Sequence, residues 1–322
     1  MRARLLTATT LATVLATTLS GCLTVHGETA VVPAVGKSEA KKVLEKFAKT
    51  HNKSNKNQDA KLNATIEGGA LGAIDQAGLK ARREVDGAEN KDFKPLELTD
   101  PRFLIPQQAG WPKSFVADTE SNLSRGGRWL LVFQRNSVDA DWKATYLGVV
   151  PDGDMPKFAT DEDGYAEEVP DTSGSKLAVP PSKLSAEYVR YLQEGEGDFA
   201  PGPHTDAWRD QREKAAKQSG VRSEWADLAA KPPQFAPFGL RTEGGGALVF
   251  FASHHQKKQT VAKGYSPNVK DPYVKALMTG TPKQSITYVR VSGQAVTVPT
   301  AKEGGDVAFV SRITGLISAR GE

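Results

Sequence analysis

The chain has 322 residues, with 42 Lys and Arg against 38 Asp and Glu and a formal net charge of +4 at pH 7. Such a balanced composition, with no long basic run, argues against nucleic acid as a partner. The single cysteine excludes an internal disulfide framework and a thiolate metal site, and at ~100–200 residues per domain the length predicts two domains.

Met1–Arg4 carries two arginines and no acid, Leu5–Thr18 is apolar or threonine throughout, and Leu19, Ser20 and Gly21 lead to Cys22. This is the order of an export signal. The uncharged run from Leu5 to Ser20 rises only ~24 Å as a helix, short of the ~30 Å hydrocarbon core of a bilayer. Leu19-Ser20-Gly21-Cys22 resembles the bacterial lipobox, in which the cysteine thiol is alkylated with diacylglycerol before cleavage. The resemblance implies a signal peptide over 1–21, cleavage between Gly21 and Cys22, and lipidation of Cys22. Two acyl chains, palmitate among them, suffice for stable anchoring, which implies a membrane partner and a place on the extracytoplasmic face of the cell membrane.

Residues 22–37 show no helical period and read as a membrane-proximal tether or a short strand. From Ser38, a plausible N-cap, Ala40, Val43, Leu44, Phe47 and Ala48 recur on one face of an amphipathic helix. "HNKSNKNQ" (51–58) interrupts that face, and helical runs follow over 59–66 and 69–83. The period then changes. "RFLIP", "KSFVADTE", "RWLLVFQR", "WKATYLGVV" and "KFATDEDGYAEEV" are short β-type runs separated by turn residues. "PDTSGSKLAVPPSK" (170–183) reads as a linker, after which the order repeats. "LSAEYVRYLQEG" and "HTDAWRDQREKAAKQSG" are helical. "PFGLRT", "GALVFFASHHQKKQTV", "SITYVRVSG", "QAVTVPT" and "DVAFVSRITGLISARG" are strand-like, with a helix in "DPYVKALMTG". The expected class is α+β, with two successive domains at 38–169 and 184–322, each packing N-terminal helices on a curved antiparallel sheet.

With "TVHGETAVVPA", "NKSNKNQDAKLNATIEGGALGAID", "DPRFLIPQQAGWPKSFVAD", "FAPGPHT" and "GGALVFFA" in view, nearly the whole mature chain resembles actinobacterial lipoproteins carrying a domain of unknown function. The layout is similar to the nuclear-transport-factor-2-like cone used by polyketide cyclases and steroid isomerases. Neither resemblance supplies catalytic residues.

His254 and His255 lie in a strand-like run, where neighbouring side chains point to opposite faces and cannot share one metal. His254, on the face of Phe250 and Ala252, is the one expected to line a cone, with Asp206 or Asp210 as a possible partner. "TDEDGYAEE" (160–168) lacks the ligand order of an EF-hand and reads as a hairpin about Asp163 and Gly164. "EGGGA" (243–247) lacks the Lys-Ser/Thr of a phosphate loop, and no serine stands in a GxSxG elbow. Tryptophans 111, 129, 142, 208 and 225 are expected in the core, with Trp129 and Trp142 on sheet strands that could face a pocket. No catalytic, cofactor or metal residues are expected, and no cofactor. The sequence therefore points to a non-catalytic envelope lipoprotein that binds a protein, a cell-wall component or a small apolar ligand. The alternative is a cyclase- or isomerase-like enzyme acting on a small apolar substrate.

Overall fold

The computed structural model describes residues 30–124 and 126–322, so the signal segment, Gly21 and Cys22 lie outside the described residues. The class is α+β. β1 (Val32–Pro33) precedes three helices, α1 (Lys37–Lys56), α2 (Ala60–Asn63) and α3 (Gly69–Asp86). Then come β2 (Leu98–Leu104), β3 (Gln107–Gln108), β4 (Lys113–Ser121), β5 (Gly127–Arg135) and β6 (Lys143–Pro151). The second half holds α4 (Pro181–Glu194), α5 (Asp206–Ala216), β7 (Val221–Ala229), β8 (Phe238–Arg241) and β9 (Ala247–Val261). It ends with α6 (Pro272–Ala276), β10 (Met278–Gly280), β11 (Ser285–Val298) and β12 (Ala308–Gly321). Among the described residues no helix is long and apolar enough to cross a membrane.

In the first half β2-β4-β5-β6 form an antiparallel sheet, and β1 pairs with β3, so the 22–37 segment does contribute a short strand. The expected face of α1 is in the core at Ala40, Leu44 and Phe47. Phe47 meets Phe133 edge-on at 5.6 Å, and Phe133 stacks on Phe115 at 5.1 Å. The expected N-cap of α1 fails: Gly36, not Ser38, holds that place. The helix runs on through the interrupted face, past His51 to Lys56. The polar residues at its end continue the helix because the fold gives them partners. Asn52 exchanges hydrogen bonds with the backbone of Leu96 at 2.7 and 2.9 Å, and Ser54 donates to the His51 carbonyl. Asp59 then caps α2 by accepting from the amides of Lys61 and Leu62.

The second sheet has the order β10-β12-β11-β9-β7, with β8 on the first part of β9. Only β10 is parallel to its neighbour. "SITYVRVSG" and "QAVTVPT" form one strand, β11, because Gly293 serves close approach and not a turn: a Cβ there would sit 3.3 Å from Ala70 on α3. Register shifts at Val289/Arg290 and Ala295/Val296 interrupt the β11–β12 ladder and bend the sheet. "KFATDEDGYAEEV" makes only isolated bridges, one of them Thr160 with Ala166 across the expected turn.

The halves share an apolar layer. Ala70, Val132, Tyr146 and Val150 from the first pack with Phe238, Leu248, Phe250, Val291 and Ala295 from the second. Segment 170–183 lies along the second half, where Leu177 is buried and bridges to Thr300. Trp129 and Trp142 are buried, but Trp111 is 43% exposed and Trp208 and Trp225 are half-buried.

Candidate functional site

Three places gather polar side chains. The largest is a groove of about 1020 Å³ between the halves, walled by Gln107–Pro112 on one side and by Pro232, Pro233 and Ala236–Gly239 on the other. Pairing with β1 positions Gln107 and Gln108, and each amide engages a carboxylate. Gln107 Nε2 donates to Asp161 Oδ2, and Gln108 Nε2 to Glu168 Oε2, both at 2.8 Å. The bond from Gln107, with backbone amides of the Asp161 turn, holds Asp161 below the usual carboxylate range. Glu167 and Asp171 complete four carboxylates in the lining. Lys113 Nζ is turned onto the Gln108 carbonyl, and the Arg135 guanidinium lies over the Trp111 ring at 5.2 Å. Among the described residues no histidine lines the groove.

The second place is a buried network on β7 and β9. Arg212 grips Asp227 with two hydrogen bonds, 2.6 and 2.9 Å. Asp227 Oδ1 lies 2.6 Å from His255 Nδ1, and His255 Nε2 lies 2.9 Å from Ser253 Oγ. Trp208 is clasped between Arg212 at 3.8 Å and Arg312 at 3.7 Å. Burial pushes His255 down to about 4 against the pull of Asp227, and the two arginines add to the fall. For Asp227, burial alone would raise the carboxyl, but hydrogen bonds from His255 and Arg212 outweigh it and hold it low. The imidazole is therefore neutral and the carboxylate ionised at pH 7. The carboxylate–imidazole–hydroxyl order is that of an activated nucleophile, yet Ser253 is wholly buried in a central strand.

The two histidines do face opposite ways, but the partnered one is His255. His254 is half-buried against the edge of Phe235 at 4.9 Å. Neither Asp206 nor Asp210 reaches it: Asp206 accepts from the Gly202 amide, and Asp210 is exposed. The apolar-neighbour criterion did not single out His255, because both faces of β9 are buried. Leu248 and Phe250 lie in the layer between the halves, Val249 and Phe251 in the core of the second half.

The third place is in the first half. His51 on α1 meets Glu67, in the turn before α3, at 3.1 Å, and Asp75 on α3 closes the group. Gly72 makes the approach possible, since a Cβ there would lie 2.9 Å from the Glu67 carbonyl carbon. Burial pushes Glu67 up to about 7, and burial together with Glu67 pushes Asp75 up to about 8. No sequence motif announces the cluster, because its members come from three separate elements.

The fold and these sites define an α+β chain whose two halves share an apolar layer and enclose a groove. It belongs to the family described as "Domain of unknown function (DUF8094)", whose model matches residues 31–321. It is 47% identical over 317 residues to an uncharacterized lipoprotein of Streptomyces avermitilis, covering 98% of this chain and 95% of the relative. An uncharacterized lipoprotein of Streptomyces coelicolor is 46% identical over 311 residues, covering 97% and 93%. A second lipoprotein of that organism is 25% identical over 302 residues, covering 89% and 82%. No solved structure matches the chain.

Proposed function

We propose that the protein is a lipid-anchored protein of the extracytoplasmic membrane face that binds a cationic, peptide-like ligand in the groove between its halves, without chemical turnover. The observation that carries this reading is the groove itself. It combines four carboxylates with an exposed tryptophan and proline walls, a mixture of apolar surface and convergent polar groups suited to a ligand. The relatives' description as lipoproteins and the Leu19–Cys22 lipobox pattern support the anchor. Val31 lines the groove, and the stretch from Cys22 to Val31 spans at most ~32 Å when fully extended. A lipid on Cys22 would therefore keep the groove close to the bilayer.

The sealed position of Ser253 favours binding over a cyclase or isomerase, which needs its acid–base pair open to substrate. The helices-then-bent-sheet order of both halves supports reading 38–169 and 184–322 as two cone-like units joined by 170–183. Calorimetric titration with matched pools of short peptides, one lysine-rich and one glutamate-rich, tests the groove. The lysine pool should bind, more weakly as salt rises. Glu167→Gln combined with Glu168→Gln should weaken it about tenfold. Equal binding of both pools, or of neither, contradicts the proposal.

A further inference from the structure

We propose that His51, Glu67 and Asp75 form a binding site for one divalent transition-metal ion, held between α1 and the start of α3. One ligand atom from each residue lies within 4.8 Å of the other two. His51 Nδ1 and Glu67 Oε1, at 3.1 Å, already stand at about the spacing of two ligands on an ion with ~2.0–2.2 Å bonds. The surroundings are left short of partners. Glu67 is 1% exposed and its Oε2 has no hydrogen bond. Asn63 is fully buried with both ends of its amide unpartnered. Buried polar groups are normally satisfied, and an unoccupied ion site is a standard reason for an exception.

Asn55 Nδ2 donates to the His51 carbonyl at 3.0 Å and lies 3.2 Å from His51 Nε2. Arg82 is the cation near the cluster, reaching Asn55 Oδ1 at 3.5 Å. Asp75 is half-buried and lines a cavity of about 490 Å³ shared with Tyr273 and Thr314, which gives an entry path. One imidazole with two carboxylates is a mixed nitrogen–oxygen donor set, suited to zinc or manganese rather than to magnesium or calcium. The cluster shares no residue with the groove, so either proposal can fail without the other.

The test is calorimetric titration of the tag-free, metal-stripped full chain in detergent with Zn²⁺ and then Mn²⁺. Saturable binding of at least one ion, near one per chain, is expected. Glu67→Gln and Asp75→Asn keep side-chain shape and replace one ligand oxygen, so both variants should fold, as read by circular dichroism. Each should bind more than about 100-fold more weakly, beyond the ~10–100-fold loss typical of supporting residues. No saturable binding of either ion by the folded wild type overturns the assignment. So does binding that both carboxylate variants retain.

Discussion

Asp227→Asn is expected to lower stability by about 3–5 kcal/mol, measured as a shift in the urea midpoint at pH 7. The substitution keeps the shape of the side chain and removes its charge. Arg212, with its side chain 8% exposed, would then be left without a counter-charge. Arg312 on the other face of Trp208 adds a second cation to the same pocket. An uncompensated buried charge costs far more than an intact pair contributes, and the loss is a large share of the ~5–15 kcal/mol that holds most domains folded. A midpoint within experimental error of wild type would show that Arg212 finds water and that the network is not sealed.

The same network has a pH signature. His255 is held at about 4 in the folded chain, below its unfolded value near 6.5. The unfolded chain therefore binds more protons between those values, and stability is lost as the pH falls through that window. The gap between wild type and His255→Gln should be full at pH 7 and shrink by up to about 3 kcal/mol by pH 4. A gap that holds constant with pH would mean the imidazole is not buried neutral.

Phe250→Ala is expected to cost about 3–5 kcal/mol and to destabilise both halves together. Phe250 is 1% exposed on β9 in the second half. It packs into the layer shared with the first half, 6.2 Å from the Tyr146 ring on β6. Gly148 on β6 makes room for it, since a Cβ there would come within 3.2 Å of the Phe250 ring. Truncation leaves a cavity bordered by both sheets. Far-ultraviolet dichroism and tryptophan fluorescence should report one coincident transition at a lower midpoint. Two separated transitions, with that of the first half unmoved, would show that the shared layer does not couple the halves.

What could be read from the sequence was whatever buries apolar residues at a regular period. Ala40, Leu44 and Phe47 announce α1, and the alternation around Trp142, Ala144 and Tyr146 announces β6. β7 went unseen because its most buried side chains are Ser223 and Asp227. A strand that turns serine and aspartate inward carries no apolar alternation to detect. The same blindness hid the sites. Asp227 and His255 are 28 residues apart, and His51 and Glu67 16 apart. Such pairs are made by tertiary packing, and no local spacing encodes them. At 51–58 the polar composition interrupts the apolar face, because burial of those residues depends on partners from distant segments.

The proposed anchor on Cys22 underlies the whole reading, since it would fix where the proposed groove site works. Cells expressing wild type or Cys22→Ala, fed a fatty-acid analogue with a clickable tag and then fractionated, test it directly. Wild type should carry the label and sediment with membranes, while Cys22→Ala should carry none and leave the membrane fraction or accumulate uncleaved. Equal labelling of the two, or an unlabelled wild type that is fully released, would contradict the account.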